Sequence, residues 1–487
     1  MTRRHVWSKV VMMAALVAPA ATARAEPVED LRRELAIVKR QLREMQETIR
    51  QQQALMEKLA AEKTPAPPSP SASAPPAAAV AAAAPPPPPA AETPPPPAPA
   101  PAWSPAQPIT LLGGGRAYMN ISFDGLVDAG WSTRPDVTRL ERGDHDPLQR
   151  GFTLPNEEIF LDGAVDPYFK GVADLVFKLD EHNDTTVELE EAYVTTSALP
   201  WNLQAKAGQF FTEFGRLNTQ HPHQWDFVDQ PLVIGRMFGP EGLRNPGARL
   251  SWLAPTPFYS ELFLAVQDSQ GTSAFSFRNE EPLFGRQPIV RDVRAPSDLV
   301  FAPRWAASFD LTDSQTVVAG LSGAFGPNAS GPSTRTEIYG TDLYWKWKPP
   351  WQSGGFPFLA FQTEALARRY EAGARAATAG PGGAVVRGLP AETLRDWGLY
   401  AQMLWGFRPR WVAGLRGDWV SGDRGAFRPD ADRADRFRLS PDLTFYPTEF
   451  SKIRLQYDFD HAQLTKDDSS VWLQLEFLLG AHAAHKF

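Results

Sequence analysis

The stretches SVWLQLEFLL, at residues 470–479, and SKIRLQYDFD, at residues 451–460, both alternate apolar and polar side chains. Successive side chains of a β-strand point to opposite faces, so Glu476 falls on one face and Leu473 and Leu475 on the other. Each stretch therefore predicts a strand with one polar and one apolar face. The same alternation fits a soluble sandwich and a membrane barrel, so the connections between strands must decide between them.

About sixteen such segments follow Gly114. The connections alternate between short ones, which usually contain proline, and longer polar ones. The short connections are residues 166–167, 199–201, 255–257, 312–314, 408–410 and 446–448, and the long ones are residues 132–151, 212–245, 268–298, 326–335, 371–392 and 421–432. This asymmetry is typical of outer-membrane barrels, whose short turns face the periplasm. We predict an all-β fold, a 16-stranded antiparallel transmembrane β-barrel formed by residues 109–487 in the outer membrane.

Aromatic residues make up 11% of the chain, and many lie at the ends of predicted strands. These residues are Trp201, Phe258, Tyr259, Trp345, Trp347, Trp351, Trp405, Trp411, Phe445 and Tyr446. Rings at both ends of strands indicate girdles at the two interfaces of a membrane, which implies outer-membrane lipid as a partner. The chain ends in Phe487, and a C-terminal aromatic resembles the signal by which barrel-assembly machinery recognises its clients.

Three segments precede the predicted barrel. Residues 1–25 combine basic residues, a short apolar core and an A-x-A site at residues 23–25, which predicts a cleaved signal peptide. Apolar residues recur at steps of three and four within residues 26–63, which favours a periplasmic coiled coil over an isolated amphipathic helix. Residues 64–108 are almost all Pro and Ala, and therefore predict a stiff polyproline II linker.

Composition argues against several classes of function. The chain has no Cys, which excludes disulfides, thiolate metal sites and cysteine nucleophiles. Its net charge of −7 offers no basic surface for nucleic acid. Adjacent acids such as Glu190 and Glu191 should alternate faces on a strand, which would keep them from serving one acid–base site. We therefore predict no enzymatic activity and no catalytic cofactor.

The order of signal, coiled coil, linker and sixteen-strand barrel resembles the phosphate-selective porin O and P family from residue 28 onward. The sequence GQFF at residues 208–211, which enters a long loop, supports the resemblance. The resemblance implies a homotrimeric porin whose third loop folds into the barrel. Residues 221–227, HPHQWDF, and the endings FYP at 445–447 and AHKF at 484–487 also resemble proteobacterial barrels linked with zinc uptake.

One departure from that family concerns the lumen. Family members that select phosphate line the pore with Arg and Lys, because a dehydrated anion needs charge-assisted donors. The lumen wall predicted here consists of Glu188, Glu190, Lys206, Glu261, Lys346, Arg416, Asp418, Arg454, Asp458 and Glu476. Acids outnumber bases in this set, so we expect a nonselective or weakly cation-selective pore.

The loop at residues 212–247 follows the fifth predicted strand, and the resemblance implies that it narrows the channel. The residues of this predicted constriction are Glu213, Arg216, His221, His223, Asp226, Asp229, Arg236, Glu241 and Arg244. Opposed charges there would create a transverse field that orients solutes, although the same groups could simply bond the loop to the wall. His221, His223 and Asp226 are a candidate metal site, because imidazole and carboxylate suit Zn²⁺.

We predict passive diffusion of small hydrophilic solutes or ions through a water-filled, trimeric barrel. One alternative is a zinc-facilitating or anion-selective channel, with zinc as a transported or bound ion. The other is a structural anchor in the outer membrane that tethers the periplasmic coiled coil.

Overall fold

The computed structural model of the protein describes residues 107–114, 117–379, 385–386 and 388–480. The predicted signal peptide, the coiled coil, nearly all of the Pro/Ala linker and Phe487 lie outside the described residues. Within the described residues the regular secondary structure is almost entirely β.

The strands form one large antiparallel sheet and one small hairpin. In chain order they are β1 (Ile109–Gly114), β2 (Ala117–Ser132), β3 (Gly151–Ala164), β4 (Phe169–Leu179), β5 (Thr185–Thr196), β6 (Leu203–Phe211), β7 (Arg244–Leu253), β8 (Tyr259–Gln267), β9 (Val300–Thr312), β10 (Gln315–Pro327), β11 (Arg335–Trp347), β12 (Phe358–Ala372), β13 (Thr378–Ala379), β14 (Val385–Val386), β15 (Glu392–Arg408), β16 (Trp411–Gly422), β17 (Arg436–Thr448), β18 (Ser451–Ala462) and β19 (Asp468–Leu479). The two-residue strands β13 and β14 pair only with each other.

The large sheet closes into a barrel because its last strand pairs with β2. The β19–β2 ladder runs from Ser470 opposite Ser132 to Leu479 opposite Phe123. The strand β1 pairs with the first residues of β2, where Ile109 lies opposite Ile121, and so extends this edge after β19 has ended. The barrel proper therefore has sixteen strands, β2 to β12 and β15 to β19, which confirms the predicted strand number.

The two rims of the barrel differ as the sequence predicted. One rim carries the turns at residues 165–168, 197–202, 254–258, 313–314, 348–357, 409–410 and 449–450. The other carries the loops at residues 133–150, 180–184, 212–243, 268–299, 328–334, 373–391, 423–435 and 463–467. Strand β2 begins and β19 ends at the short-turn rim, so the described ends of the barrel lie together there.

The two faces of the strands are reversed relative to a water-soluble protein. On β19, Leu473 is 48% exposed and Leu475 is 46% exposed, whereas the inward-facing Trp472 and Gln474 are 0% and 2% exposed. Soluble proteins bury the apolar face of a half-exposed sheet. Here the apolar face covers the outside of the barrel, and polar and charged side chains fill the inside.

Among the described residues, helices occur only in turns and loops. The α-helix α1 (Leu232–Phe238) lies in the loop at residues 212–243. The 3-10 helices are Thr138–Leu140, Pro200–Asn202, Leu217–Thr219, Pro222–Gln224, Thr272–Ala274, Pro296–Asp298 and Ala431–Arg433. No helix in the described part of the chain combines the length and the apolar character needed to cross a bilayer.

Candidate functional site in the barrel interior

The loop at residues 212–243, called the inward loop below, lies inside the barrel. Its backbone amides bond to side chains on the inner face of the wall. The Leu217 amide donates to Glu364 Oε1 on β12 at 2.8 Å, and the Val228 amide donates to Gln456 Oε1 on β18 at 2.7 Å. The loop leaves the wall at β6, and β12 and β18 each lie six strands from β6 in opposite directions around the barrel, so the loop spans its interior.

The inward loop approaches the wall closely at Gly215. Gly215 has a positive φ of 61°, which favours glycine, and its amide donates to Ser322 Oγ on β10 at 3.0 Å. A Cβ atom at this position would overlap the carboxylate of Glu364. Glycine therefore allows the loop to turn against the wall directly after β6.

An apolar cluster fixes α1 to one arc of the wall. The cluster joins Phe214, Leu232, Val233, Met237 and Phe238 of the inward loop to Ile338, Leu366, Tyr400 and Val420 of β11, β12, β15 and β16. The Phe214 and Phe238 rings meet edge to face, with centroids 4.9 Å apart. Burial of one such side chain stabilises a fold by roughly 1.5–3 kcal/mol, so this contact is a substantial part of what holds the loop.

Three arginines surround Asp229 on a second arc, and we call this group the arginine clamp. Asp229 contacts Arg142 at 3.0 Å, Arg416 at 2.8 Å and Arg438, and all of these side chains are 0–1% exposed. Gln456 Nε2 also donates to Asp229 Oδ1 at 2.6 Å. Burial alone would raise the pKa of Asp229, but the arginines hold it well below its usual range. Asp229 therefore carries a negative charge that three arginines share, and each of these arginines also contacts a second acid.

A carboxylate–histidine cluster holds the inward loop on a third arc. His221 Nδ1 lies 3.0 Å from Glu190 Oε2 and 3.1 Å from Asp174 Oδ2, and its Nε2 lies 3.2 Å from Glu191 Oε2. Burial would lower the pKa of His221, but Glu158, Glu190 and Glu191 raise it well above its ordinary value. His221 is therefore a cation among acids.

Glu190 and Glu191 reach the same histidine, so the expectation that they serve opposite faces is wrong. Asp174 lies opposite Glu191 in the β4–β5 ladder, while Leu175 lies opposite Leu189, which leaves Glu190 without a partner in the ladder. Such a β-bulge re-aims the side chains beside it. Both acids therefore point into the barrel, which simple alternation could not have predicted.

The predicted metal set of His221, His223 and Asp226 is only partly brought together. The two imidazole rings are stacked with centroids 5.8 Å apart, and His223 Nδ1 lies 3.1 Å from Glu158 Oε2. Asp226 instead accepts a hydrogen bond from Gln402 Nε2 at 2.8 Å. The turn Pro222–Gln224 is a 3-10 helix, and it sends Asp226 to a different part of the interior.

Asp226 lines a cavity of about 160 Å³, which lies on the short-turn side of the inward loop. Its charged lining residues are Arg216 and Asp226 from the loop and Lys346 and Asp442 from β11 and β17. The Arg216 guanidinium also lies 4.2 Å from the ring centre of Tyr344. Basic and acidic groups are therefore balanced around this space.

The other predicted constriction residues bond the inward loop to its surroundings. Glu213 contacts Lys206 at 3.3 Å and Arg249 at 3.2 Å, on β6 and β7. Arg236 contacts Glu141 of the first long loop at 2.7 Å. Glu241 contacts Arg244, the first residue of β7, at 2.9 Å, and Arg244 in turn contacts Glu188 at 3.4 Å.

The predicted lumen-wall residues all lie on the less exposed face of their strands. Those that are buried are Glu190, Glu261, Arg416, Asp418, Arg454 and Asp458, and those that are half-buried are Glu188, Lys206, Lys346 and Glu476. Of this set, Lys346 lines the cavity. Sequence reasoning left Arg142 and Arg438 out of the candidate sites, and the alternation on β17 was the signal that could have added Arg438.

Comparison with known proteins identifies one relative in sequence. An uncharacterized protein of Aquifex aeolicus (strain VF5) is 33% identical over 366 residues, which cover 70% of this chain and 71% of the relative. No family model matches the chain.

Comparison with solved structures finds outer-membrane proteins that are similar to this chain at low identity. The channel DcaP of Acinetobacter baumannii is 13% identical with a TM-score of 0.49, over 74% of this chain and 97% of its own. An anion-selective porin from Comamonas acidovorans is 8% identical with a TM-score of 0.44, over 74% of this chain and 100% of its own. A likeness at this level does not identify the function of this chain.

Proposed function

This chain belongs to one family with the Aquifex aeolicus protein, and from its own barrel we propose an outer-membrane porin for passive diffusion of small hydrophilic solutes or ions. The observation that carries this proposal is the closed barrel with an apolar outside, a charged inside and a loop fixed across its interior.

The apolar outer surface of the barrel is better suited to contact with a lipid bilayer than with water. Strands can cross lipid only when closure satisfies every backbone hydrogen bond, and β19 supplies that closure. Large aromatic side chains are exposed at both rims, with Trp131 and Phe152 on the long-loop side and Trp201 and Trp351 on the short-turn side. Their positions support two interfacial girdles, with the short turns in the periplasm.

The inward loop is proposed to set the size limit and the selectivity of the pore. The cavity on its short-turn side offers Arg216 and Lys346 against Asp226 and Asp442. A balanced lining favours orientation of dipolar solutes over strong selection by charge. The homotrimer and the periplasmic coiled coil remain predictions, which cross-linking and removal of residues 26–63 would test.

Reconstitution in planar bilayers tests the proposal. Purified full chain should give stepwise, ohmic conductance, while heat-denatured protein should give none. Asp226→Asn should move the reversal potential in a salt gradient towards anion selectivity, and Arg216→Gln should move it towards cation selectivity. Asp467→Asn, in the loop at residues 463–467 and 54% exposed, is the matched control and should leave it unchanged. A folded barrel that inserts without current steps would overturn the proposal.

A further inference from the structure

We propose that Glu158, Asp174 and His221 bind a divalent transition-metal ion that joins the inward loop to the barrel wall. Glu158 lies on β3, Asp174 on β4 and His221 on the inward loop, and all three are buried. One ligand atom from each lies within 4.8 Å of the others. The proposal rests on these contacts between loop and wall, and not on whether the barrel conducts.

The buried carboxylate of Asp174 is the feature that indicates a bound cation. Its side chain is 0% exposed, neither carboxylate oxygen accepts a well-formed hydrogen bond from a donor among the described residues, and it lies against the Glu158 carboxyl group, which is a second acid. His221 Nδ1 lies 3.1 Å from Asp174 Oδ2, but it makes its hydrogen bond with Glu190 Oε2 at 3.0 Å. A buried carboxylate without a donor is expected to be protonated or to coordinate a cation.

The spacing of the three groups suits a common ion. Two ligand atoms that each lie about 2.1 Å from one metal are about 3.0–3.4 Å apart at octahedral or tetrahedral angles. His221 Nδ1 lies 3.1 Å from Asp174 Oδ2 and 3.8 Å from Glu158 Oε2. Small side-chain rotations would bring all three atoms to these distances, and Glu190 Oε2 is near enough to be a fourth ligand. The metal ion would take the place of the proton that His221 otherwise carries, because only the neutral imidazole binds a metal.

The surrounding charge also favours a cation. Asp124 on β2 is 1% exposed, and its oxygens too have no hydrogen-bond donor among the described residues. It lies 4.0 Å from His223 Nδ1, so a further carboxylate borders the proposed site. One imidazole with two or three carboxylates is a mixed nitrogen and oxygen set, which suits Zn²⁺, Co²⁺ or Mn²⁺ better than a purely oxygen-bound ion such as Ca²⁺.

An exposed rival site provides the control. Asp180, Glu181 and His182, in the loop at residues 180–184, also bring three ligand atoms together, but they lie at the surface. Adventitious metal would bind there. His182→Ala and His221→Ala each remove one imidazole, and they therefore separate the surface site from the buried one.

The experiment uses Co²⁺, because its visible absorption reports the ligand geometry. Full chain without a histidine tag is refolded from urea into detergent with Co²⁺ or with EDTA and then desalted. The metal content and the spectrum are measured, and mobility on an unheated gel identifies the folded protein. Wild type and His182→Ala should retain about one Co²⁺ per chain with the same spectrum. Asp174→Asn and His221→Ala should retain less than about a tenth of the Co²⁺ that wild type retains.

Wild type that folds but retains no Co²⁺ would overturn the proposal even if every variant failed to fold. If folded Asp174→Asn and His221→Ala retain Co²⁺, or if His182→Ala loses it, the proposal of a buried site is overturned in favour of the surface site. Chelated wild type should also lose protection of the inward loop against proteolysis relative to metal-loaded protein. Bilayer conductance of wild type is recorded separately, so absence of a pore and absence of a metal site give different results.

Discussion

Asp229 joins the inward loop to arginines from three parts of the chain. Arg142 comes from the first long loop, Arg416 from β16 and Arg438 from β17. Each of these arginines also contacts a second acid, so its charge stays partly compensated when Asp229 is neutralised. We expect Asp229→Asn to lower the free energy of unfolding in urea by less than the about 3–5 kcal/mol that loss of one partner from an isolated buried ion pair costs, and to raise single-channel conductance. A matched change at Asp467, which is exposed, should do neither, and equal effects would contradict this role.

We expect His145, in the first long loop, to make the barrel sensitive to alkali. Its Nε2 lies 3.0 Å from Glu190 Oε1. Burial would lower the pKa of His145, but Glu190 outweighs it and raises the pKa to about 9. The unfolded pKa is about 6.5, so this contact stabilises the protein fully below that pH and is lost as pH rises through the folded value.

The pH dependence can be measured against a variant. Wild type should lose free energy of unfolding between about pH 7 and pH 10 more steeply than His145→Gln, because the variant lacks the titrating group. His461→Gln removes a histidine that is 59% exposed and should follow wild type. Parallel curves for wild type and His145→Gln would show that the contact with Glu190 contributes nothing.

Residue-level contacts were predictable only where alternation fixes the direction of a side chain. Arg416 was assigned to the lumen in this way. Arg142 could not be assigned, because no period governs a loop. Glu190 and Glu191 were assigned to opposite faces because a bulge leaves no mark in the alternation. The placement of Asp226 away from His221 depends on a single turn of 3-10 helix.

At the scale of elements, α1 depends on the wall that surrounds it. A helix of 7 residues is not stable alone, so its packing against β11, β12, β15 and β16 must maintain it. Phe238→Ala should lower the free energy of unfolding by about 3–5 kcal/mol and increase cleavage of the inward loop by protease. Phe152→Ala, at a position 78% exposed, should change neither by a comparable amount. Unchanged protection in Phe238→Ala would mean that the apolar cluster does not hold the loop.

The strands could be predicted from the sequence, whereas the helix within the inward loop could not. Period-two alternation predicts β19 because one face of the strand meets a single environment along its whole length. The run LVIGRMF at residues 232–238 is apolar, yet it lies in a connection whose remainder is polar. Its helix forms against residues such as Ile338 and Tyr400, more than 100 positions away in sequence, and a local pattern contains no such information.

For the molecule as a whole, the outward apolar face should be what a bilayer requires. Leu473 is 48% exposed near the middle of β19. Arg on the lipid face of a barrel costs about 2–4 kcal/mol at the bilayer midplane and about 0–1 kcal/mol near the interface. We expect Leu473→Arg to destabilise the refolded barrel in lipid vesicles by the larger amount. Leu464→Arg, in the loop at residues 463–467 and 49% exposed, is the control and should have the smaller effect. Equal effects would place Leu473 outside lipid.

The reversed faces of the strands also bear on how such a chain crosses a membrane before it folds. Polar side chains interrupt the apolar ones along strands such as β18 and β19, so no apolar run there approaches the roughly 20 residues of a membrane-spanning helix. A translocation channel that releases continuous apolar segments sideways into lipid would let these strands pass through. The apolar outer surface of the folded barrel would then form only after strand pairing, which brings apolar side chains from separate strands onto one surface.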